Sequence, residues 1–337
     1  MTQIDYRGAI QRAIAEEMER DDRVALYGED VAAPGGVFKA TPGLQDRFGD
    51  ERVFDTPISE LAMTGAAFGA AVTGLRPVVE IMFGDFMPLA MDSLANQAAK
   101  WWYLSEGRAT VPLVIRSAVG AGGSFGAIHS QSPMAWFQSI PGLKIVCPAF
   151  PADALGLLKS AIRDDNPVLF FEHKRLYSIK QEFEESGEGL VPLGRANVVR
   201  EGDDVTVVAL HRGVHDALAA AEELAGEGIG LEVLDLRCLR PLDLETVLGS
   251  VAKTSRLLVV DEASARGGWG EALVGAVVQQ GLDILDDAFL LASAEHPVPY
   301  PPALERAYLP GPERIAAVVR RRLGVEAGAM STSVGGS

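Results

Sequence analysis

Three side chains have the type and setting to take or share a proton: Glu29, Glu60 and His129. Glu60 closes the stretch Asp55-Thr56-Pro57-Ile58-Ser59-Glu60, between a predicted strand end at Arg52-Val53-Phe54 and the Ala/Gly-rich run 61–75. As local structure the stretch is a helix start, with Thr56 at the N-cap, Pro57 at the first helical position and Glu60 an anion in the first turn. As chemistry it is a carboxylate buried at a strand-to-helix corner. Glu29 sits in Gly28-Glu29-Asp30-Val31, behind the apolar run 24–27. His129 follows the Gly-rich run 119–126 and is flanked by Ser130 and Gln131. A loop histidine near the carboxyl edge of a sheet suits proton transfer near neutral pH. It equally suits a histidine that hydrogen-bonds its own backbone. The residues support a Glu60–Glu29–His129 cluster and by themselves name no reaction.

The elements that must position these groups alternate. Ile10, Ile14 and Met18 recur every four residues, which predicts an amphipathic helix from Tyr6. Strands are predicted at 24–27, 77–83, 111–116, 143–147 and 168–172, with helices at 61–75, about 88–104 and 152–163 between them. This is the βαβ pattern of a largely parallel sheet. Residues 176–203 break the rhythm with Glu182, Glu184, Glu185 and Glu188 and read as an exposed acidic linker. A second α/β set follows, with strands at 205–210, 231–236, 257–261 and 289–292 and a closing helix at 313–323. The expected organisation is therefore two α/β domains, 1–175 and 204–325, with a Ser/Gly-rich disordered tail at 326–337.

At 337 residues and 48% hydrophobic the chain is long and apolar enough for two cores. Its net charge of -16 argues against a nucleic-acid binder and against an anionic membrane surface as a partner. No apolar run reaches the roughly 18 residues of a spanning helix. The N-terminus reads neither as a secretory signal nor as an Arg-rich transit peptide. Cys147 and Cys238 read as reduced core residues of a cytoplasmic protein.

Other candidates yield to simpler readings. His211 and His215 stand four apart, as a metal pair on a helix would. With no third ligand nearby, surface or capping histidines are the better reading. Asp261-Glu262 ends a strand where open α/β sheets place ligands, and reads as a solvated loop. Asp164-Asp165-Asn166-Pro167 is an oxygen-rich turn of the kind that binds hard cations or simply ends a helix. No Walker-type phosphate loop and no dinucleotide turn occurs.

Several motifs occur together and in order: Gly28-Glu29-Asp30-Val31, Gly35-Gly36-Val37-Phe38, Asp55–Glu60, His129-Ser130-Gln131, Pro141-Gly142-Leu143-Lys144, the run from Ala161 to Val168, and the run from Glu232 to Arg237. From about residue 4 to 323 the chain resembles the beta subunit of the thiamine-diphosphate-dependent decarboxylating component of 2-oxo acid dehydrogenase complexes. The resemblance implies a transketolase-like pyrimidine-binding domain and a transketolase C-terminal domain. It also implies a heterotetramer of two alpha and two beta chains, with thiamine diphosphate at the alpha–beta interface. A dihydrolipoyl acyltransferase core would then dock through its subunit-binding and lipoyl domains. The Gly-Asp-Gly motif that holds the diphosphate and Mg²⁺ in this family occurs nowhere in the chain, which implies that the alpha subunit supplies that half of the site.

By the same resemblance, Glu60 matches the glutamate that hydrogen-bonds the cofactor's pyrimidine nitrogen and selects its reactive tautomer. Glu29, Ile58, Ser59 and Met82 match cofactor-proximal positions, and Phe86 matches the aromatic residue packed on the pyrimidine. His129 matches a histidine that donates a proton as the acyl group passes to lipoamide. Leu113, Ala161, Ile162, Asp164 and Asn166 match a structural potassium site described in some members. Met82, where several relatives carry Gln, together with Ile128 and Met134, departs from the common pattern and leaves pyruvate, branched-chain 2-oxo acid and acetoin all open as donors.

Overall fold

The computed structural model describes residues 2–184 and 187–325; the expected disordered tail lies outside the described residues. The chain opens with strand β1 (Thr2–Asp5) and helix α1 (Tyr6–Arg20), which buries Ile10, Ile14 and Met18 as their spacing predicts. The Asp5 carboxylate accepts the Gly8 N–H at 2.7 Å and so caps α1. There follow β2 (Val24–Gly28), α2 (Leu44–Phe48), β3 (Val53–Asp55), α3 (Glu60–Val72) and β4 (Arg76–Ile81). Next come α4 (Ala99–Leu104), β5 (Val114–Val119), α5 (Met134–Gln138), β6 (Lys144–Val146), α6 (Pro151–Arg163), β7 (Val168–His173) and β8 (Lys180–Phe183).

The second half holds β9 (Asn197–Arg200), β10 (Val205–Ala209), α7 (Arg212–Ala225), β11 (Leu231–Asp235), β12 (Cys238–Arg240) and α8 (Leu244–Thr254). It closes with β13 (Arg256–Ser264), α9 (Trp269–Gly281), β14 (Asp287–Ser293), α10 (Pro302–Tyr308) and α11 (Pro312–Leu323). A seven-stranded sheet runs β12-β6-β7-β5-β4-β2-β3 and a five-stranded sheet runs β14-β13-β10-β11-β9. All but the β12–β6 and β11–β9 pairings within these sheets are parallel, as the βαβ rhythm requires. Strand β12 belongs in sequence to the second half yet pairs with β6 of the first sheet, so the two halves share a seam. Cys147 and Cys238 are buried and unbridged.

In the larger sheet β3 lies on one side of β2 and β4 on the other, which opens a crevice above the carboxyl ends of these strands. The loops after β2, β3, β4 and β5 carry Glu29, Glu60, Phe86 and His129 to that edge.

Three local expectations are corrected. Helix α3 begins at Glu60 behind Ser59, not at Thr56. The Thr56 N–H donates to the Gly28 carbonyl at 2.8 Å, and the Asp55 carboxylate accepts the Ala32 N–H at 2.9 Å. These bonds hold residues 55–56 to the end of β2 and delay the helix. The long helix expected at 88–104 is instead a 3₁₀ segment Gly84–Ala90 containing Pro88, a π-helical segment Ser93–Ala98 and then α4. The acidic segment is less free than its composition implies: β8 pairs antiparallel with β1, and β9 forms an edge of the second sheet.

Candidate active site

Glu29 and Glu60 are brought together by the two bonds that tie Asp55 and Thr56 to the β2 loop. Each residue is only 6% exposed. Burial first, then the charges of Glu60 and Asp30, pushes Glu29 above the usual carboxylate range. Glu29 Oε1 is buried without a hydrogen-bond partner. Such an oxygen costs free energy unless a donor reaches it, so the pair is shaped to receive one. Ile58, at 84% exposed, and the exposed Ser59 project from the same corner, while Met82 and Phe86 are half-buried beyond β4.

His129 stands elsewhere on the edge. Its ring packs edge-on against Phe83 with centroids 4.6 Å apart and against Phe86 at 5.5 Å. Among the described residues no hydrogen bond joins it to Glu29 or Glu60. Phe86 packs on Phe83 as well as on the histidine, and the expected three-residue cluster resolves into a carboxylate pair and a separate histidine. The loop bearing His129 separates two cavities. One, of about 510 Å³, is lined by Ala121, Gly122, Ser124, Arg175 and Glu305; the other, of about 630 Å³, by Ile128, Ser130, Gln131 and Trp136. Ser132 and Glu262 line both.

Glu262 is no solvated loop residue. Its carboxylate lies 2.7 Å from His173 Nε2, accepts the Ala121 N–H at 2.5 Å and accepts from the Ser132 hydroxyl at 3.3 Å. Burial would raise its pKa, but the His173 imidazole and the Ala121 N–H hold it below the usual range. Glu305 of α10 accepts the N–H groups of Gly122 and Ser124 at 2.8 and 2.9 Å. Gly120 has φ +92°, and a Cβ there would come 2.1 Å from His173 Nε2, so the loop can pass the imidazole only as glycine. Sequence reasoning missed Glu305 and set Glu262 aside; the one available signal for Glu262 was its place at a strand end.

His211 and His215 are not surface groups. His211 Nε2 pairs with the Phe171 carbonyl and His215 Nε2 with the Ala149 carbonyl, each at 2.9 Å, so both fasten α7 to the first half. Burial, then His173, takes His211 down to about 3, which keeps it neutral. Among the described residues no group of three or more His, Cys, Asp or Glu is arranged to hold a metal ion.

The potassium-matched residues lie where β5, α6 and β7 approach one another. The Leu113 carbonyl accepts the Val168 N–H at 2.8 Å and the Ala161 carbonyl the Asp164 N–H at 3.2 Å. Arg76 Nη1 donates to the carbonyls of Ile162 and Asp164, both at 3.1 Å, and Asp164 Oδ1 accepts the Asn166 N–H at 2.9 Å. A guanidinium therefore already provides positive charge at the carbonyls of Ile162 and Asp164.

The carboxylate corner fits the pyrimidine end of thiamine diphosphate, because an unpartnered buried carboxylate oxygen beside a second carboxylate can accept from a ring with N–H donors. Sequence profiles place this geometry in a class. The transketolase pyrimidine-binding domain matches residues 2–180 and the transketolase C-terminal domain matches residues 194–315, so the protein is transketolase-like and of the thiamine-diphosphate-dependent class. A solved structure titled as a split-gene transketolase, an inactive beta4 tetramer, superposes with TM-score 0.78 at 24% identity, covering 96% of this chain and 99% of its own, which shows the fold.

Full-length relatives narrow the class. The chain is 47% identical over 326 residues to the beta subunit of acetoin:2,6-dichlorophenolindophenol oxidoreductase of Cupriavidus necator, covering 94% of this chain and 96% of that one. It is 44% identical to the 2-oxoisovalerate dehydrogenase beta subunit of Bacillus subtilis (95% and 98% covered). It is 45% identical to the pyruvate dehydrogenase E1 component beta subunit of Porphyra purpurea (95% and 97% covered). The chain belongs to the beta subunits of the decarboxylating components of 2-oxo acid and acetoin dehydrogenase complexes.

Proposed function

We propose that this chain, paired with an alpha subunit in a heterotetramer of two alpha and two beta chains, forms the pyrimidine half of a thiamine-diphosphate site and passes an acyl group to lipoamide. The observation that carries this reading is the buried, unpartnered Glu29 oxygen beside Glu60. When bound, thiamine diphosphate supplies a carbanion equivalent able to cleave the bond next to a carbonyl. Glu60 would hold the proton on a pyrimidine nitrogen of the bound cofactor, and the low dielectric of the corner would strengthen that bond. Glu29 would accept from the ring, Phe86 would orient it, and Ile58, Ser59 and Met82 would shape its walls. His129 would donate the proton taken up by the lipoyl sulfur that is released when the disulfide opens and its other sulfur takes the acyl group.

The alpha subunit supplies the diphosphate and Mg²⁺ contacts, consistent with the lack of Gly-Asp-Gly in this chain. In α3, a Cβ added at Gly69 would meet nothing within 4 Å, and one at Gly65 would meet only the Ser93 hydroxyl, so the small-residue face leaves room for another backbone. The acidic surface suits a basic subunit-binding module of an acyltransferase core, and high salt should weaken that docking. A potassium ion in the 161–166 turn would share its carbonyls with Arg76; a potassium-specific rise in Tm would support it.

The donor substrate is pyruvate or a branched-chain 2-oxo acid. A second reading, acetoin cleavage, is favoured by the 47% identity to an acetoin-oxidising relative. The test is to purify the chain alone and with an alpha-type subunit. Thiamine diphosphate and Mg²⁺ are added, and dye reduction is followed with pyruvate, 2-oxoisovalerate and acetoin in turn. Activity is expected only with both chains. Full activity from this chain alone would overturn the half-site reading, and none with the partner would favour a scaffold.

A further inference from the structure

We propose that Lys174 is a positioning residue for His129, and that its ammonium group locks the histidine's backbone in the geometry needed for acyl transfer. The proposal rests on the proton-donating role of His129 given above.

The lock is visible in four contacts. Lys174 Nζ donates to the His129 backbone carbonyl. The same nitrogen lies over the Phe83 ring, 5.2 Å from its centroid, and 5.4 Å from that of Phe125. Phe83 in turn carries the His129 ring on its other contact, at 4.6 Å. One aromatic ring is thus gripped by the cation and presents the imidazole, so movement of Lys174 is felt by His129 through both its backbone and its ring.

The rest of the loop is pinned from outside. Glu262 and Glu305 hold its first residues by the N–H groups of Ala121, Gly122 and Ser124, and Asp85 accepts from Gln131 N and Nε2 at 3.2 and 2.8 Å. Between these two anchored ends, Lys174 is the side chain that hydrogen-bonds the His129 backbone, while Phe83 and Phe86 pack on its ring. A lysine is costly to bury unless something needs its charge. Burial brings this one down to about 8, against the opposing pull of Asp85, Glu262 and Glu305. The charged and titratable groups around it are these three carboxylates, the His129 ring, His173 on Glu262, and Arg175, whose Nη1 donates to the Gly122 carbonyl. Near neutral pH the lock is charged, and above about 8 it loses its cation and its hold on the rings weakens.

The experiment uses the assembled alpha–beta enzyme with thiamine diphosphate and Mg²⁺. Two rates are read for wild type, Lys174→Met, Lys174→Arg, His129→Ala and the Lys174→Met/His129→Ala double variant: acyl transfer to a lipoyl domain, and exchange of the cofactor C2 proton. Lys174→Met should lower transfer about tenfold more than it lowers exchange, and should add little in the His129→Ala background. Wild-type transfer should fall above about pH 8 while Lys174→Arg, which stays charged, keeps its rate. If His129→Ala lowers transfer but Lys174→Met does not, or if the double variant shows full additivity, the lock is refuted while the histidine's role stands. If His129→Ala leaves transfer intact, both fall. Should Lys174→Met fail to assemble, the alkaline limb and its loss in Lys174→Arg decide the matter, and an unchanged limb refutes the proposal.

Discussion

Glu29 and Glu60 meet as two buried carboxylates, and the charge of Glu60 adds to burial in pushing Glu29 above its ordinary range. In the unfolded chain a glutamate titrates near about 4.3. With the folded value higher, the stability linked to this group is complete below the unfolded value and is lost as pH rises through the folded one. At neutral pH the raised pKa of Glu29 therefore costs the cofactor-free protein stability. Glu29→Gln should raise its Tm by about 2 °C or more near neutral pH, and the gain should vanish near about pH 4. A gain of the same size at both pH values would mean that packing, not charge, is responsible.

Glu60→Gln removes the carboxylate while keeping its size. Exchange of the C2 proton of bound thiamine diphosphate should slow by about 100-fold or more, with assembly unchanged by size-exclusion chromatography. Exchange at the wild-type rate would show that Glu60 is only an anion at the first turn of α3.

Much of this site was legible because its parts are local. The runs 24–29, 53–60 and 77–86 each pair a strand with the loop that follows it, and strand periodicity predicts that those loops end on one edge. The helix start was misplaced because what delays it, Asp55 bonded to Ala32 and Thr56 to Gly28, is tertiary. The loop anchors were illegible for the same reason. Lys174 reaches His129 across 45 residues and Glu305 reaches Gly122 across 183, and nothing in the local pattern of either marks the contact. Local propensity likewise predicted one helix over 88–104, where Pro88 inside a tight turn and the π-helical segment before α4 break it.

Beneath the site, Arg116 in β5 bridges Glu172 at 2.7 Å and Glu80 at 2.9 Å, and Tyr177 donates to Glu172 at 2.9 Å. All three charged side chains are buried in the sheet. Two carboxylates deprived of their shared cation have no solvent to turn to, so Arg116→Met should cost about 3–5 kcal/mol. Replacing Arg116, Glu80 and Glu172 together by apolar residues should recover much of that loss. Chemical denaturation of the three proteins checks both statements, and a near-neutral single variant would mean that water reaches the carboxylates.

Among the described residues His129 hydrogen-bonds neither carboxylate of the pair, leaning instead on Phe83 and Phe86. A group so placed can serve the step in which the acyl fragment meets its acceptor without taking part in cofactor activation. His129→Ala should therefore slow acyl transfer to lipoamide by about 100-fold, and the loss should exceed that in C2 proton exchange by about tenfold or more. Single-turnover kinetics with a lipoyl domain, set beside hydrogen exchange on the same preparation, separates the two steps. Equal losses in both would assign the imidazole to the packing of Phe83 and Phe86, because disturbed rings would mis-aim the cofactor before any acyl group had formed.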